Sequence, residues 1–207
     1  MRVLLDDSPC SVKAESISAA LRSVAGEADR AGRVIVDVYV DGHRCSADDL
    51  DRLDSQTGAV SELRLVSADP SVIVAEALES AETALADADA LQRDAAELLQ
   101  AGHSVEAFSR LTGAVSLWTS VRQAVADGCA LVDLDLDSLK VGDEPASAII
   151  GMLTDHLRQL RSSLESLDVV RLADLLLYEM PAVIGAWHEL LASLHECLNL
   201  ERDSRGG

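Results

Sequence analysis

Asp133-Leu134-Asp135-Leu136-Asp137, with Glu144 behind it, sets four carboxylates at the first, third, fifth and twelfth positions of a loop, the spacing with which oxygen ligands wrap calcium. Ser138 stands where that turn needs glycine, and Lys140 where an apolar residue is usual. The competing expectation is a loop whose Leu134 and Leu136 dock on helices while Asp133, Asp135, Asp137 and Glu144 face water. His43-x-Cys45 and His195-x-Cys197 offer two nitrogens and two sulfurs to zinc, but residues two apart share a face on a strand and not on a helix, so the second pair is badly aimed. His188-Glu189 and His195-Glu196 open like a zinc-protease helix, yet Ala192 and Asn199 occupy the places of the second histidine. No histidine has glutamate three residues before it, which removes the di-iron pattern of metal-binding bundles. Nucleophile-elbow and phosphate-loop motifs are also missing, so no cofactor is expected. His156, on an apolar helical face, reads as a core histidine satisfied by a neighbour. Tyr178, Glu179 and His188, near Pro181, are what remains for acid–base chemistry, and Glu179 would have to be buried to serve.

Charge limits what such groups could serve. The 207 residues carry 17 Lys+Arg against 36 Asp+Glu, a net charge of −19. A polyanion without a basic patch repels phosphate backbones and anionic lipid heads, so neither nucleic acid nor membrane is an expected partner. Hydrophobic residues make up 48%, enough for a folded core, but aromatics only 2%: Tyr39, Phe108, Trp118, Tyr178 and Trp187. Such a core of Leu, Val, Ile and Ala suits packed helices. Cys10, Cys45, Cys129 and Cys197 are far apart and form no C-x-x-C pair, which predicts free thiols in a reducing compartment. With no secretory signal at Met1-Arg2-Val3-Leu4 and no uninterrupted apolar run of about 18 residues, a cytoplasmic location is expected.

Two textures meet near Asp69-Pro70. Residues 1–70 hold 8 basic and 13 acidic side chains, net −5, and the remainder 9 and 23, net −14. The patterning predicts an α+β chain: a first domain over 1–69, a helical bundle over 70–200 and a flexible tail over 201–207. In the first domain, a strand over Arg2–Asp6 turns at Asp7-Ser8-Pro9 into a return strand over Cys10–Ala14. Ser16 caps a helix through Ile17, Ala20, Leu21, Val24 and Ala28, which Gly32 stops. Arg33–Val40 alternates as a strand with Val34, Val36, Val38 and Val40 on one face and Ile35, Asp37 and Tyr39 on the other. Asp41-Gly42 suits a type I′ turn into His43–Cys45. Ser46 caps a short helix with Asp49 at capping-box distance, and Glu62-Leu63-Arg64-Leu65-Val66-Ser67 closes the domain.

After Ser71, four helical segments are expected: to Gly102 with Val74, Leu78, Leu85 and Leu91 inward; a second capped by Ser104 with Phe108, Leu111, Val115, Trp118, Val121, Val125 and Cys129; from Pro145 with Ile149, Leu153 and Leu160; and from Asp168 to Leu198, with a kink or break at Pro181. Short connections favour an antiparallel four-helix bundle.

The order strand, strand, helix, strand, Asp-Gly turn, strand, short helix, strand resembles the β-grasp fold of ubiquitin-like proteins. The helix from Ile17, the hairpin at Asp41-Gly42 and the closing Glu62–Val66 strand carry the resemblance. It implies a partner surface on the sheet face opposite the helix, at Leu4, Ile35, Tyr39 and Val66; the alternative is that this face packs against the bundle. The end Ser204-Arg205-Gly206-Gly207 is similar to the Arg-Gly-Gly tail of ubiquitin and implies conjugation through Gly207. The acidic bundle resembles export chaperones of flagellar and type III secretion systems in architecture and charge. The expected function is therefore a non-enzymatic adaptor or chaperone-like protein binding another protein, for which the acidity favours a basic partner, with a ubiquitin-like modifier as the alternative.

Overall fold

Arg2–Leu5 (β1) and Ser8–Pro9 (β2) are joined by Asp6 and Asp7, both at positive φ (48° and 62°), the two-residue geometry of a type I′ turn. The turn thus sits one residue earlier than the sequence predicts, because a short acid side chain tolerates the left-handed region. The return strand is correspondingly Ser8–Pro9 rather than Cys10–Ala14, with the Cys10 amide donating to the Val3 carbonyl at 2.9 Å. The computed structural model describes residues 1–12, 16–55 and 60–205, so Ala14 lies outside the described residues.

Helix α1 (Ile17–Arg30) starts as expected, with Ser16 accepting from the Ala19 amide at 3.1 Å. Its stop is a Schellman pair: the Gly32 amide, at φ 68°, donates to Asp29 and the Arg33 amide to Ala28. Strands β3 (Val34–Val40) and β4 (His43–Arg44) form a hairpin through Asp41 (φ 48°) and Gly42 (φ 84°). Helix α2 (Ala47–Ser55) carries a closed capping box, in which the Ser46 amide donates to Asp49 at 3.0 Å and the Asp49 amide to the Ser46 hydroxyl at 3.3 Å. Strand β5 (Glu62–Ala68) then enters between β1, to which it is parallel, and β3, to which it is antiparallel. The result is a five-stranded mixed sheet in the order β2-β1-β5-β3-β4. Val3, Ile17, Ala20, Val24, Val40, Leu63 and Leu65 form its aliphatic core with α1.

A bulge interrupts β3. Ile35 pairs with Ser67 and Asp37 with Val66, so Val36 is an extra residue with no partner of its own. Side-chain alternation inverts across it. Val38 and Val40 pack on the α1 side as predicted, Tyr39 lies opposite, and Ile35 joins the α1 core rather than sharing a face with Tyr39.

The chain divides into two units, Met1–Ile73 and Val74–Gly207, and the division falls inside α3 (Pro70–Gln100). Beyond it come α4 (Ser104–Leu131), a two-stranded hairpin of β6 (Lys140–Val141) and β7 (Glu144–Pro145), α5 (Ala146–Glu165), α6 (Val169–Asp174) and α7 (Met180–Arg205). The chain is thus α+β, a mixed sheet with its helix followed by long packed helices. Among the described residues, no helix is long and apolar enough to cross a membrane.

Two helical expectations need correction, and a third takes a specific form. Pro145 is not in the first turn of α5; its extended backbone (ψ 145°) pairs with Lys140 and caps the helix, after a turn in which Gly142 takes φ 62°. In α4, Ser104 is the first helical residue and His103 holds the cap position, and the inward face is Ala107, Leu111, Ala114, Trp118, Val121 and Val125, whereas Phe108 is half-buried and Val115 exposed. The break expected at Pro181 takes the form of a π-helical turn, Leu175–Glu179, between α6 and α7, in which the Met180 amide reaches back five residues to the Leu175 carbonyl. Pro181 has no amide to give Leu177, and widening the ladder ahead of it absorbs the mismatch.

The core of the second unit contains both tryptophans. Trp118 and Trp187 meet edge to face, with centroids 5.5 Å apart, and the Trp118 Nε1 donates to Gln92 Oε1 at 2.7 Å.

Candidate functional site

The sheet face opposite α1 is polar. Tyr39 and Arg64 are cross-strand partners, and the Arg64 guanidinium lies 4.4 Å over the Tyr39 ring while its Nη1 is 3.4 Å from Asp7. Arg44 donates to Asp37 at 2.6 Å, and Arg2 lies 3.6 Å from Glu62. Of the four residues expected to form an apolar partner patch, Tyr39 is covered by arginine, Leu4 is only 6% exposed, Ile35 is on the other face and Val66 is half-buried. They do not form a continuous apolar surface.

At one corner of this sheet, Asp6 Oδ1 accepts from the Ser67 amide at 2.7 Å and Oδ2 from the Ser67 hydroxyl at 2.6 Å. Arg33 donates to the same hydroxyl oxygen and to the Ser67 carbonyl, both at 2.7 Å. Burial works against ionising Asp6, but the two Ser67 bonds and the Arg33 charge outweigh it and hold the carboxyl below its ordinary pKa.

The acidic loop follows the alternation of its sequence. Leu134, Leu136 and Leu139 pack on the helical core, while Asp133, Asp135, Asp137 and Glu144 are exposed. Asp135 Oδ1 accepts from the Asp137 amide at 3.0 Å, and Glu144 belongs to β7. The four calcium candidates are not gathered, and among the described residues no three His, Cys, Asp or Glu side chains are arranged to hold a metal ion. That includes His43, Cys45, His195 and Cys197. Burial, and after it the thiol of Cys197, raises the pKa of Cys129.

Around the π-helical turn, Arg171 donates to Glu179 at 2.6 Å and to Gln159 at 2.9 Å, and His156 Nε2 lies 3.8 Å from the same carboxylate. The other ring nitrogen of His156 bonds the Met152 carbonyl at 2.8 Å, the local satisfaction its apolar face predicts. Glu179 is a half-buried ion-pair partner of Arg171, and Tyr178 and His188 are both exposed. Gly207 lies outside the described residues; Arg205 before the glycine pair is the last residue of α7.

The α5–α6 corner carries a feature that the sequence did not announce. There the Asp168 amide donates to Ser163 at 2.9 Å and the Leu167 amide to Leu164 at 3.2 Å, the Schellman pattern again, with Leu167 in the left-handed position at φ 56°. Gly32 and Gly102 fill that position at the ends of α1 and α3. Leu167 is 77% exposed and Val170, the second residue of α6, is 73% exposed. Beside them, Leu99, Gln100, Val169, Val170, Ala173 and Asp174 line an open cleft of about 230 Å³. The chain matches no family model, no curated protein and no solved structure.

Proposed function

We propose that the protein is a non-enzymatic adaptor or chaperone-like protein whose helical unit binds an apolar, basic segment of another protein. Leu167 carries this reading. A bulky side chain in the left-handed region costs about 1–2 kcal/mol, glycine would avoid that cost, and the leucine recovers nothing by burial because it is held in solvent. A residue unfavourable both in backbone and in exposure points to a role outside the folded chain. The partner's charge follows from the helical part, which carries 9 basic and 23 acidic residues, and from Asp174 on the cleft beside Val170. In this reading the first unit is a β-grasp domain, supported by the parallel β1–β5 pair and α1 on one sheet face. The second is an antiparallel four-helix bundle of α3, α4, α5 and the α6–α7 segment, supported by the short links at Ala101–His103 and Ser166–Asp168.

Leu167→Gly separates stability from binding. The variant is expected to unfold later in urea, by about 1 kcal/mol, and yet to lose the partner. Affinity capture from the native cell, run with the wild type, Leu167→Gly and a form lacking Gly206-Gly207, should retain one basic protein with the first and third only. Equal retention by Leu167→Gly would overturn the proposal, and a covalent ladder that disappears with Gly206-Gly207 would establish the modifier alternative instead.

A further inference from the structure

The cleft beside Val170 is framed by two helices. Leu99 and Gln100 close α3, and Val169, Val170, Ala173 and Asp174 come from α6. Its lining is mostly aliphatic, with Leu99 and Ala173 each 5% exposed, Val169 half-buried and Val170 open to solvent. Its polar groups carry no positive charge. Asp174 is exposed, and its carboxylate has no ion pair or hydrogen-bond donor among the described residues; Gln100 adds an amide oxygen. Gln100 is also the last residue of α3, the end at which a helix carries partial negative charge, and Glu97, three residues before it, is exposed without a basic partner among the described residues. At about 230 Å³ the cleft is smaller than the roughly 300–1,000 Å³ of a small-molecule pocket, so it suits a single side chain.

An aliphatic lining with an unanswered carboxylate calls for a group that is apolar along its length and cationic at its tip. We infer that the cleft takes an arginine side chain of the partner, its methylene stem against Val169, Val170 and Ala173 and its guanidinium at Asp174 and Gln100. This rests on the reading of the helical unit as the binding surface for a basic segment, and it names the residue that anchors that segment. Lysine fits less well, because the acceptors stand on two helices. A guanidinium presents its N–H groups in a planar fork, so it can serve the Asp174 carboxylate on α6 and the Gln100 oxygen on α3 together, and its weak hydration lets it lie on apolar surface at less cost than an ammonium. A wholly apolar anchor would desolvate Asp174 without pairing it.

Side-chain analogues titrated into the full chain and followed by methyl and amide NMR test this. n-Propylguanidinium stands for arginine, n-butylammonium for lysine, and n-propylurea is the uncharged isostere of the first. Propylguanidinium is expected to shift the Leu99, Val169 and Val170 signals saturably, with a dissociation constant of ~1–10 mM, and the other two to bind about fivefold more weakly or worse. Raising sodium chloride from ~0.05 to ~0.5 M should weaken propylguanidinium and not propylurea. Asp174→Asn should bring propylguanidinium down to the level of propylurea, and Val170→Ser should weaken all three probes. No saturable shift at those methyls, butylammonium as tight as propylguanidinium, or indifference to Asp174→Asn would overturn the inference. The two readings fail separately: an unresponsive cleft with capture that still depends on Leu167 removes only the arginine anchor, and a responsive cleft with capture indifferent to Leu167 supports the anchor site and removes only the role given to Leu167.

Discussion

Trp118→Ala is expected to destabilise the helical unit by about 3–5 kcal/mol, the largest loss from any single side chain of that core. The ring is 1% exposed, so its removal leaves a cavity among rigid helices and strips the edge-to-face contact from Trp187. It also orphans Gln92, which is 2% exposed and whose Oε1, among the described residues, accepts from the Trp118 indole alone. The polar share of the loss can be isolated. Trp118→Phe keeps most of the packing but abandons the Gln92 carbonyl, at about 1–3 kcal/mol; adding Gln92→Leu removes the abandoned acceptor, so the double variant should be less damaged than the sum of the singles. Trp187→Phe should cost less than Trp118→Phe, since Trp187 Nε1 is buried without a protein acceptor and has no bond to lose. Urea titrations followed by tryptophan emission read this unit alone, because both tryptophans lie within Val74–Gly207. Additive losses, or equal losses for the two Phe variants, would contradict the assigned bond.

The features legible in the sequence are those written in side-chain identity. Ser16 and Gly32 bracket α1, Asp41-Gly42 turns β3 into β4, Leu63 and Leu65 alternate inward on β5, and Leu134 and Leu136 dock while their aspartates stay wet. Backbone offsets leave no such mark. The β3 bulge occurs in an unbroken run, Val34-Ile35-Val36, with no glycine to announce it, and one extra residue was enough to carry Ile35 to the other face and dissolve the expected patch. The π-helical turn is likewise invisible, since Leu175-Leu176-Leu177 satisfies any helical period, although Pro181 did locate the disturbance to within a turn. On α4, alanines misled. Ala107 and Ala114 are the buried residues, but the larger Phe108 and Val115 attract a periodicity argument outward by one residue. Leu167 escaped for the opposite reason: leucine after a leucine-rich helix looks ordinary until its φ is known.

Asp6 is where loss of one group should tell most on the first unit. Its carboxylate joins the β1–β2 turn to Ser67 on β5, and Arg33, entering β3, closes the network on the same serine. Asp6→Gly removes the carboxylate while making the left-handed turn easier, so any loss measures the hydrogen bonds and not strain; about 1–3 kcal/mol is expected, because the Ser67 amide is then left unpaired at a residue only 6% exposed. The pH dependence follows from the direction of the shift. A carboxyl whose folded pKa lies below its unfolded value stabilises the fold fully above the unfolded value, near 3.9, and the contribution is lost as pH falls through the folded pKa. The side chain is 41% exposed, so solvent screening keeps the effect modest. Hydrogen exchange at the Ser67 amide reports it locally: protection should persist at pH 5, decline on acidification below the ordinary carboxylate range, and be weak at every pH in Asp6→Gly. Asp6→Asn can still accept from the Ser67 amide but cannot ionise, so its exchange protection should vary less with acid than that of the wild type. Protection in the wild type that holds unchanged to pH 2 would show that the carboxylate does not govern this corner of the sheet.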